Sequence, residues 1–276
     1  MGQANQTSLD DLGFRLLLPG KLLRPYVRSY WYFRRDAPLW MPREEFMHPR
    51  AGYGIIFNFG DQLTLDGQPL SEAIFLDGSN TVSRKMGFSG RVELLGVRFH
   101  EGGFYPFLGI PLSEVRNEIA LLDAFNHPSL RRLHHQMSET ASMQGRFRLL
   151  DQWLLKRLAQ GKDRDPLIPE TLKTLQHSEN SLSLAEVVQP FAISQRQLER
   201  LFQQQVGVTP KQYLLLLRID RARMLLRRTH PETPVNLATL AADLGYYDQS
   251  HFIRQFRSVI GMTPNRYLKR GWQRNP

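Results

Sequence analysis

Two short stretches in the last third of this 276-residue chain carry polar side chains of the kinds that read the edges of DNA bases. In the later stretch Phe252 and Phe256 mark an inward face. At about 100° per residue, Ser250, Arg254 and Arg257 point roughly the opposite way, with His251 on their flank and Gln249 at the helix start. In the earlier stretch Leu198 and Phe202 face inward, Arg196, Arg200 and Gln203 oppose them, and Gln195 and Glu199 lie beside. Glutamine suits adenine, arginine suits guanine, and a helix N-terminus favours phosphate. One such helix alone is more often an ordinary solvated surface. Two inside one basic, duplicated unit reverse that weighting.

The duplication shows in the residues that must position those helices. Gly207-Val208-Thr209-Pro210-Lys211-Gln212-Tyr213-Leu214 recurs 54 positions later as Gly261-Met262-Thr263-Pro264-Asn265-Arg266-Tyr267-Leu268. Before the first copy, Ser183 and Glu186 form a capping-box pattern, Leu184, Val187, Val188 and Phe191 form a stripe, and Ala192 sits at the turn. Ser194 then caps a second helix that buries Leu198, Leu201, Phe202 and Val206. Before the second copy, Leu237, Leu240, Ala241 and Leu244 lead to a turn at Gly245, and Phe252, Phe256 and Ile260 follow. Between the copies, Pro210 to Arg228 reads as one helix of 19 residues. Its length is roughly 28 Å, close to the ~34 Å between major-groove openings on one face of B-DNA. Pro190 falls in the first motif's leading helix, where it removes a donor and clashes with the preceding turn at ~3 kcal/mol. That helix is expected to end early or kink, which leaves the second motif dominant in specificity.

Charge agrees with this placement. The net charge is +10, and residues 166–276 hold 15 Lys/Arg against 8 Asp/Glu, while residues 1–165 hold 21 against 18. The basic excess lies where the repeat lies, as a phosphate-facing surface requires. The 41% apolar content suffices for a real core and two domains. No apolar run is long enough for a membrane span, and the polar, acidic start MGQANQTSLDD is unlike a secretory leader. The chain has no cysteine, which removes disulfides, cysteine zinc sites, thiol nucleophiles and alkyl-acceptor repair chemistry and agrees with a cytoplasmic protein.

The N-terminal part has a different rhythm. Residues 1–20 read as a loose entry. From Leu22 to about Ile110 short aromatic and β-branched runs alternate with turn signals: Tyr26–Phe33, Tyr53–Phe59, Leu63–Leu65, Ala73–Leu76 and Arg91–Phe99, with Asp66-Gly67 and Asp77-Gly78 between. This favours a small antiparallel barrel or sandwich. From Leu112 to Ala159 the pattern turns helical and ends on an amphipathic stripe of Phe147, Leu150, Leu154 and Leu158. Gly161 to Pro166 reads as a linker. The expected fold class is α+β: a β-rich domain with helices over residues 1–160, a linker over 161–169, and an all-helical domain over 170–276.

Leu240-Ala241-Ala242-Asp243-Leu244-Gly245-Tyr246-Tyr247-Asp248-Gln249-Ser250-His251-Phe252-Ile253-Arg254-Gln255-Phe256, closed by Gly261-Met262-Thr263-Pro264 and Tyr267, resembles the second helix-turn-helix of the AraC/XylS transcriptional regulators. Arg218, Arg221-Ala222-Arg223 and Leu225-Leu226 resemble the family's linker helix, and the resemblance is strongest over residues 170–271. The first motif departs from the pattern, with Val188 where alanine is usual and Ala192 where glycine is usual. The resemblance implies base-edge contacts from Gln195, Arg196, Glu199 and Arg200, and from Gln249, Ser250, His251 and Arg254. Phosphate contacts, expected from Arg/Lys and helix N-termini, are assigned to Ser194, Gln203, Lys211, Arg257 and Asn265.

More faintly, Trp31, His48–Asp61 and Gly96–Phe104 resemble the family's sensor-domain branch, which implies a cupin-like barrel and control by a small molecule or a protein partner. It implies also that the helix ending near Ala159 is a dimerisation element and that activation proceeds through RNA polymerase. The stripe itself is more often internal core than a dimer seam. Trp31, Tyr32, Phe57, Phe59, Phe99 and Phe104 could line an effector pocket or fill the barrel. Enzymatic chemistry is not expected. His48, His100 and Glu101 are scattered, His134 and His135 face different sides of a helix, Gly52-Tyr53-Gly54 lacks a phosphate loop's third glycine, and no nucleophile elbow occurs. No cofactor, metal or membrane association is expected. The expected partners are double-stranded DNA and RNA polymerase, with an effector and a second copy of the chain as further candidates.

Overall fold

The computed structural model describes residues 13–49, 51–70, 72–116, 119–121, 128–177, 186, 189–191, 193–229 and 235–274. Eight strands alternate early in the chain: β1 (Arg15–Leu17), β2 (Val27–Met47), β3 (Gly54–Asn58), β4 (Thr64–Leu65), β5 (Gln68–Pro69), β6 (Ile74–Asp77), β7 (Arg84–Phe99) and β8 (Ile119–Leu121). They make one antiparallel sheet in the order β1-β2-β7-β3-β6-β8, with β4 pairing β7 and β5 on a branch. The antiparallel pairing expected from the turn signals is present. The closed barrel is not, because β1 and β8 end the path without pairing each other. β1 occupies part of the stretch read as a loose entry, and β8 interrupts the stretch read as helical.

The core of the sheet is the long antiparallel β2/β7 pair. Its register shifts between Arg35 and Leu39 and again between Leu39 and Arg43, so Glu44–Met47 pair with Gly87–Arg84 beyond a break in the ladder. Such irregularities bend the strands and increase twist. Asp66 and Gly67 both take positive φ, 49° and 83°, the backbone of the tight turn that joins β4 to β5. Asp77-Gly78 makes no such hairpin. Asp77 closes β6, and its carboxylate accepts from Asn80 Nδ2 at 2.8 Å.

Both faces of this sheet are apolar. One face carries Tyr30, Tyr32, Ile55, Phe57, Leu76, Leu95, Val97 and Phe99, covered by α1 (Tyr105–Leu108), α2 (Pro128–Glu139) and α3 (Met143–Gln160). The other holds a smaller cluster of Phe33, Ile56, Leu63, Phe75, Met86, Phe88, Val92 and Leu94. Adjacent strand residues alternate between the two clusters, as the two-residue period dictates. Between sheet and α3 lies a buried polar group: Arg146 Nη1 meets Glu93 Oε1 at 2.7 Å, and the Tyr32 hydroxyl donates to the same oxygen at 2.6 Å. Burial first, then Glu93, pushes the Tyr32 phenol up to about 12.

The second core belongs to α4 (Leu167–His177), α5 (Gln195–Gln205), α6 (Pro210–Arg228), α7 (Leu237–Asp243), α8 (Gln249–Ile260) and α9 (Pro264–Arg274). Local sequence explains their ends. Ser194 and Thr209 each form a reciprocal capping box, with Gln197 and Gln212, and Pro210 occupies the first turn of α6. Asp248 accepts from the His251 amide at 2.6 Å to start α8, and Gly261, with φ of 81°, ends it. Pro190 lies in a short 3-10 turn, Gln189–Phe191, followed by Ser194 as the cap of α5. Ser183, Leu184, Val187, Val188 and Ala192, expected to build the first motif's leading helix and turn, fall outside the described residues.

Candidate nucleic-acid interface

α5 and α8 are the two helices that carry the base-reading candidates, and both are strongly one-sided. On α5, Leu198 and Phe202 are fully buried, while Gln195, Arg196, Arg200 and Gln203 are exposed and Glu199 is half-buried. Gln195 Nε2 donates to Glu199 Oε1 at 3.0 Å, one turn along, so these two present a paired edge. On α8, Phe252 and Phe256 are fully buried, Gln249, Ser250, Arg254 and Arg257 are exposed, and His251 is half-buried. Burying each phenylalanine stabilises its helix by about 1.5–3 kcal/mol. The apolar side therefore fixes which polar residues face outward.

The His251 ring meets Tyr246 edge-on, with centroids 5.4 Å apart, while its backbone is held by the Asp248 carboxylate. Sequence reasoning omitted Asp248 from the site. An aspartate one residue before an apolar-periodic run is the cap signal that could have found it. Its neighbour Tyr247 is almost fully exposed at the turn. The flanking residues divide in character. Lys211 and Asn265, in the first turns of α6 and α9, are exposed. The Ser194 hydroxyl is occupied as the cap of α5, accepting from the Gln197 amide at 3.2 Å.

A helix-turn-helix domain family model matches residues 187–270, and a domain family of unknown function, DUF6597, matches residues 15–120. The probable transcriptional regulator LumQ of Photobacterium leiognathi is 37% identical over 92 residues, 33% of this chain and 36% of its own length. The HTH-type transcriptional regulator ArgR of Pseudomonas aeruginosa is 35% identical over 95 residues, 34% of this chain and 28% of its own. A solved structure of a transcriptional regulator from Chromobacterium violaceum, described by its AraC-type DNA-binding domain, is 30% identical. That match covers 39% of this chain and 94% of that one, with a TM-score of 0.35. The chain belongs to the AraC/XylS family. It spans roughly a third of the length of these curated relatives.

In this AraC/XylS-family chain the aromatic residues read as either an effector pocket or a filled core are divided by the sheet. Tyr32, Phe57, Phe99 and Phe104 are buried in the helix-covered cluster, where Phe99 and Phe104 lie 4.7 Å apart. Phe59 packs at its edge, stacked on His134 at 4.9 Å, with the Arg146 guanidinium 4.4 Å from its ring. Trp31 lies on the opposite face against Phe33. The smaller cluster of Phe33, Ile56, Phe75, Met86 and Phe88 on that face was missed, although strand alternation could have indicated it. Of the dimer stripe, Phe147, Leu150 and Leu154 are buried in the chain's own core and Leu158 packs against it, so that stripe serves the sheet. His48 lies beside Ser83, while His100 and Glu101 lie in a separate group with Arg28. Among the described residues no three His, Asp or Glu side chains converge as a metal site, and no helix is long and apolar enough to cross a membrane.

Proposed function

We propose that this chain is a sequence-specific DNA-binding regulator of transcription, more often an activator, that places α5 and α8 in adjacent major grooves. Gln195, Arg196, Glu199 and Arg200 read one half-site, and Gln249, Ser250, His251 and Arg254 read the other. Ser194, Gln203, Lys211, Arg257 and Asn265 set register on phosphates. The observation that carries this reading is the pairing of two exposed polar faces across one core, joined by the 19-residue α6. The N-terminal region adjusts binding through a small molecule, activation proceeds by contact with RNA polymerase, and a second copy pairs through a surface other than the inward stripe of α3. Sequencing DNA fragments that the purified chain enriches from a random pool tests the reading. A bipartite motif supports it, and recovery of unenriched DNA contradicts it.

One observation supports the alternative reading, in which a protein partner is the controlling input. Trp40 is 92% exposed and Met41 78% exposed at the bend of β2, an arrangement common where proteins meet. Thermal shifts with a metabolite library, set beside partner pull-downs, separate the two inputs.

A further inference from the structure

α6 fixes how far apart the two reading helices sit, and it packs against both of them within one apolar core. A joint stands at its leading end, where Gly207 takes a φ of 84° between α5 and α6. The trailing end stops at Thr229, several residues before α7 begins.

The N-terminal region touches both sides of this assembly. At the first joint the Tyr53 hydroxyl, which donates to the Leu112 carbonyl at 2.6 Å, lies over Gly207 and fills the space a Cβ would need. Gln204 Nε2 on α5 donates to the Tyr105 hydroxyl at 3.1 Å, and Arg116 Nη1 donates to Gln212 Oε1 on α6 at 3.2 Å. At the second reading head the end of the β2/β7 pair where Met47 meets Arg84 makes the contact. The Ser83 amide donates to the Val259 carbonyl at 2.9 Å, supplying a partner to the last turn of α8. The His48 ring meets Tyr267 edge-on at 5.6 Å, and the Arg270 guanidinium sits 3.7 Å above the Phe46 ring. Ala51, though part of the N-terminal region, is buried in the helical core.

We propose that the N-terminal sheet is a brace that sets the relative rotation of α5 and α8, with Phe46, His48 and Ser83 as positioning residues for DNA half-site spacing. The inference rests on the DNA-binding reading above. It assigns the sheet a role in specificity that requires no ligand. Inserting one base pair between half-sites moves the second by about 3.4 Å and turns it by roughly 35°. A braced reader rejects that change, and a reader free to turn about α6 accepts part of it.

The test uses the full chain, its Phe46→Ala variant and its Arg270→Ala variant, which loosen the same contact from opposite sides. Each is taken through selection from a random DNA pool, and spacing is scored apart from base preference. Arg270→Ala leaves the sheet core untouched, so it keeps the comparison available if Phe46→Ala folds poorly. The expected result is one dominant spacing for the native chain, discriminating about tenfold against one inserted base pair, the cost of a typical wrong base pair. For variants that melt cooperatively, that discrimination falls to threefold or less while the bases preferred within each half-site stay the same. Native spacing in folded variants overturns the brace but leaves the DNA-binding reading intact. A native chain that enriches no sequence overturns both.

Discussion

The Tyr53 hydroxyl lies where a side chain on Gly207 would have to be, so the β-rich and helical parts meet at a residue that can only be glycine. Gly207 also has a φ of 84°, left-handed backbone that costs a residue with a Cβ roughly 1–2 kcal/mol. Gly207→Ala should therefore lower Tm, and the overlap with Tyr53 should add to the backbone cost. Tyr53→Phe removes the clashing oxygen. The double variant is thus expected to be more stable than the two single losses predict when summed. Additive losses in thermal melts would show that the two residues do not press on one another.

Burial raises the Asp77 carboxyl to about 6, against partial relief from Arg98, Asn80 and Arg84. A carboxyl whose folded pKa lies above its unfolded value favours folding while protonated, and that contribution fades as pH rises through about 6. Asp77→Asn removes this titration. Between pH 4 and 7 the native chain should lose stability relative to Asp77→Asn, as measured by denaturant midpoints. A constant difference across that range would contradict the assignment.

Glu93 is the anion for the nearly buried Arg146 guanidinium, which also donates from Nε to the Thr140 carbonyl at 2.9 Å. Removing one member of a buried pair costs roughly 3–5 kcal/mol, because the other charge is left uncompensated. Glu93→Ala should fall at the lower end of that range, since Thr140 and the Phe59 ring still stabilise the guanidinium. Adding Arg146→Met should recover part of the loss in urea unfolding. No recovery would show that the pair is not coupled.

Pro190 sits in a 3-10 turn ahead of α5, whereas α8 follows a regular helix, α7. On the proposed function, Arg254→Ala should cost about 1–3 kcal/mol and relax one base-pair preference. Arg200→Ala should cost less. Lys211→Ala should weaken all sequences alike and reduce the salt slope of log K by about 1. If Arg200→Ala abolished specific binding while Arg254→Ala left it intact, the ranking of the two motifs would be reversed.

The helical domain could be read closely from sequence because its boundaries are written in local chemistry. Ser194, Thr209-Pro210, Asp248 and Gly261 each act within one turn of the residue that carries the signal. The β-rich part was less accessible. Trp31 and Tyr32 fall in one group of pocket-or-core candidates, although neighbours on a strand must face opposite ways, and the sheet separates them. β8 was hidden in a stretch read as helical, since three residues carry too little periodicity to declare a strand. The contacts of Phe46, His48, Tyr53 and Ser83 with the helical domain join residues up to about 220 positions apart along the chain, beyond the reach of any local pattern.

The central claim, that two helices of one chain occupy successive major grooves, is tested most directly by base-methylation interference on a DNA site enriched by the full chain. Two patches of major-groove interference on one face, centred about 10 base pairs apart, are predicted, with Arg254→Ala erasing contacts only in the second. A single patch, or two patches both lost with Arg254→Ala, would contradict the account.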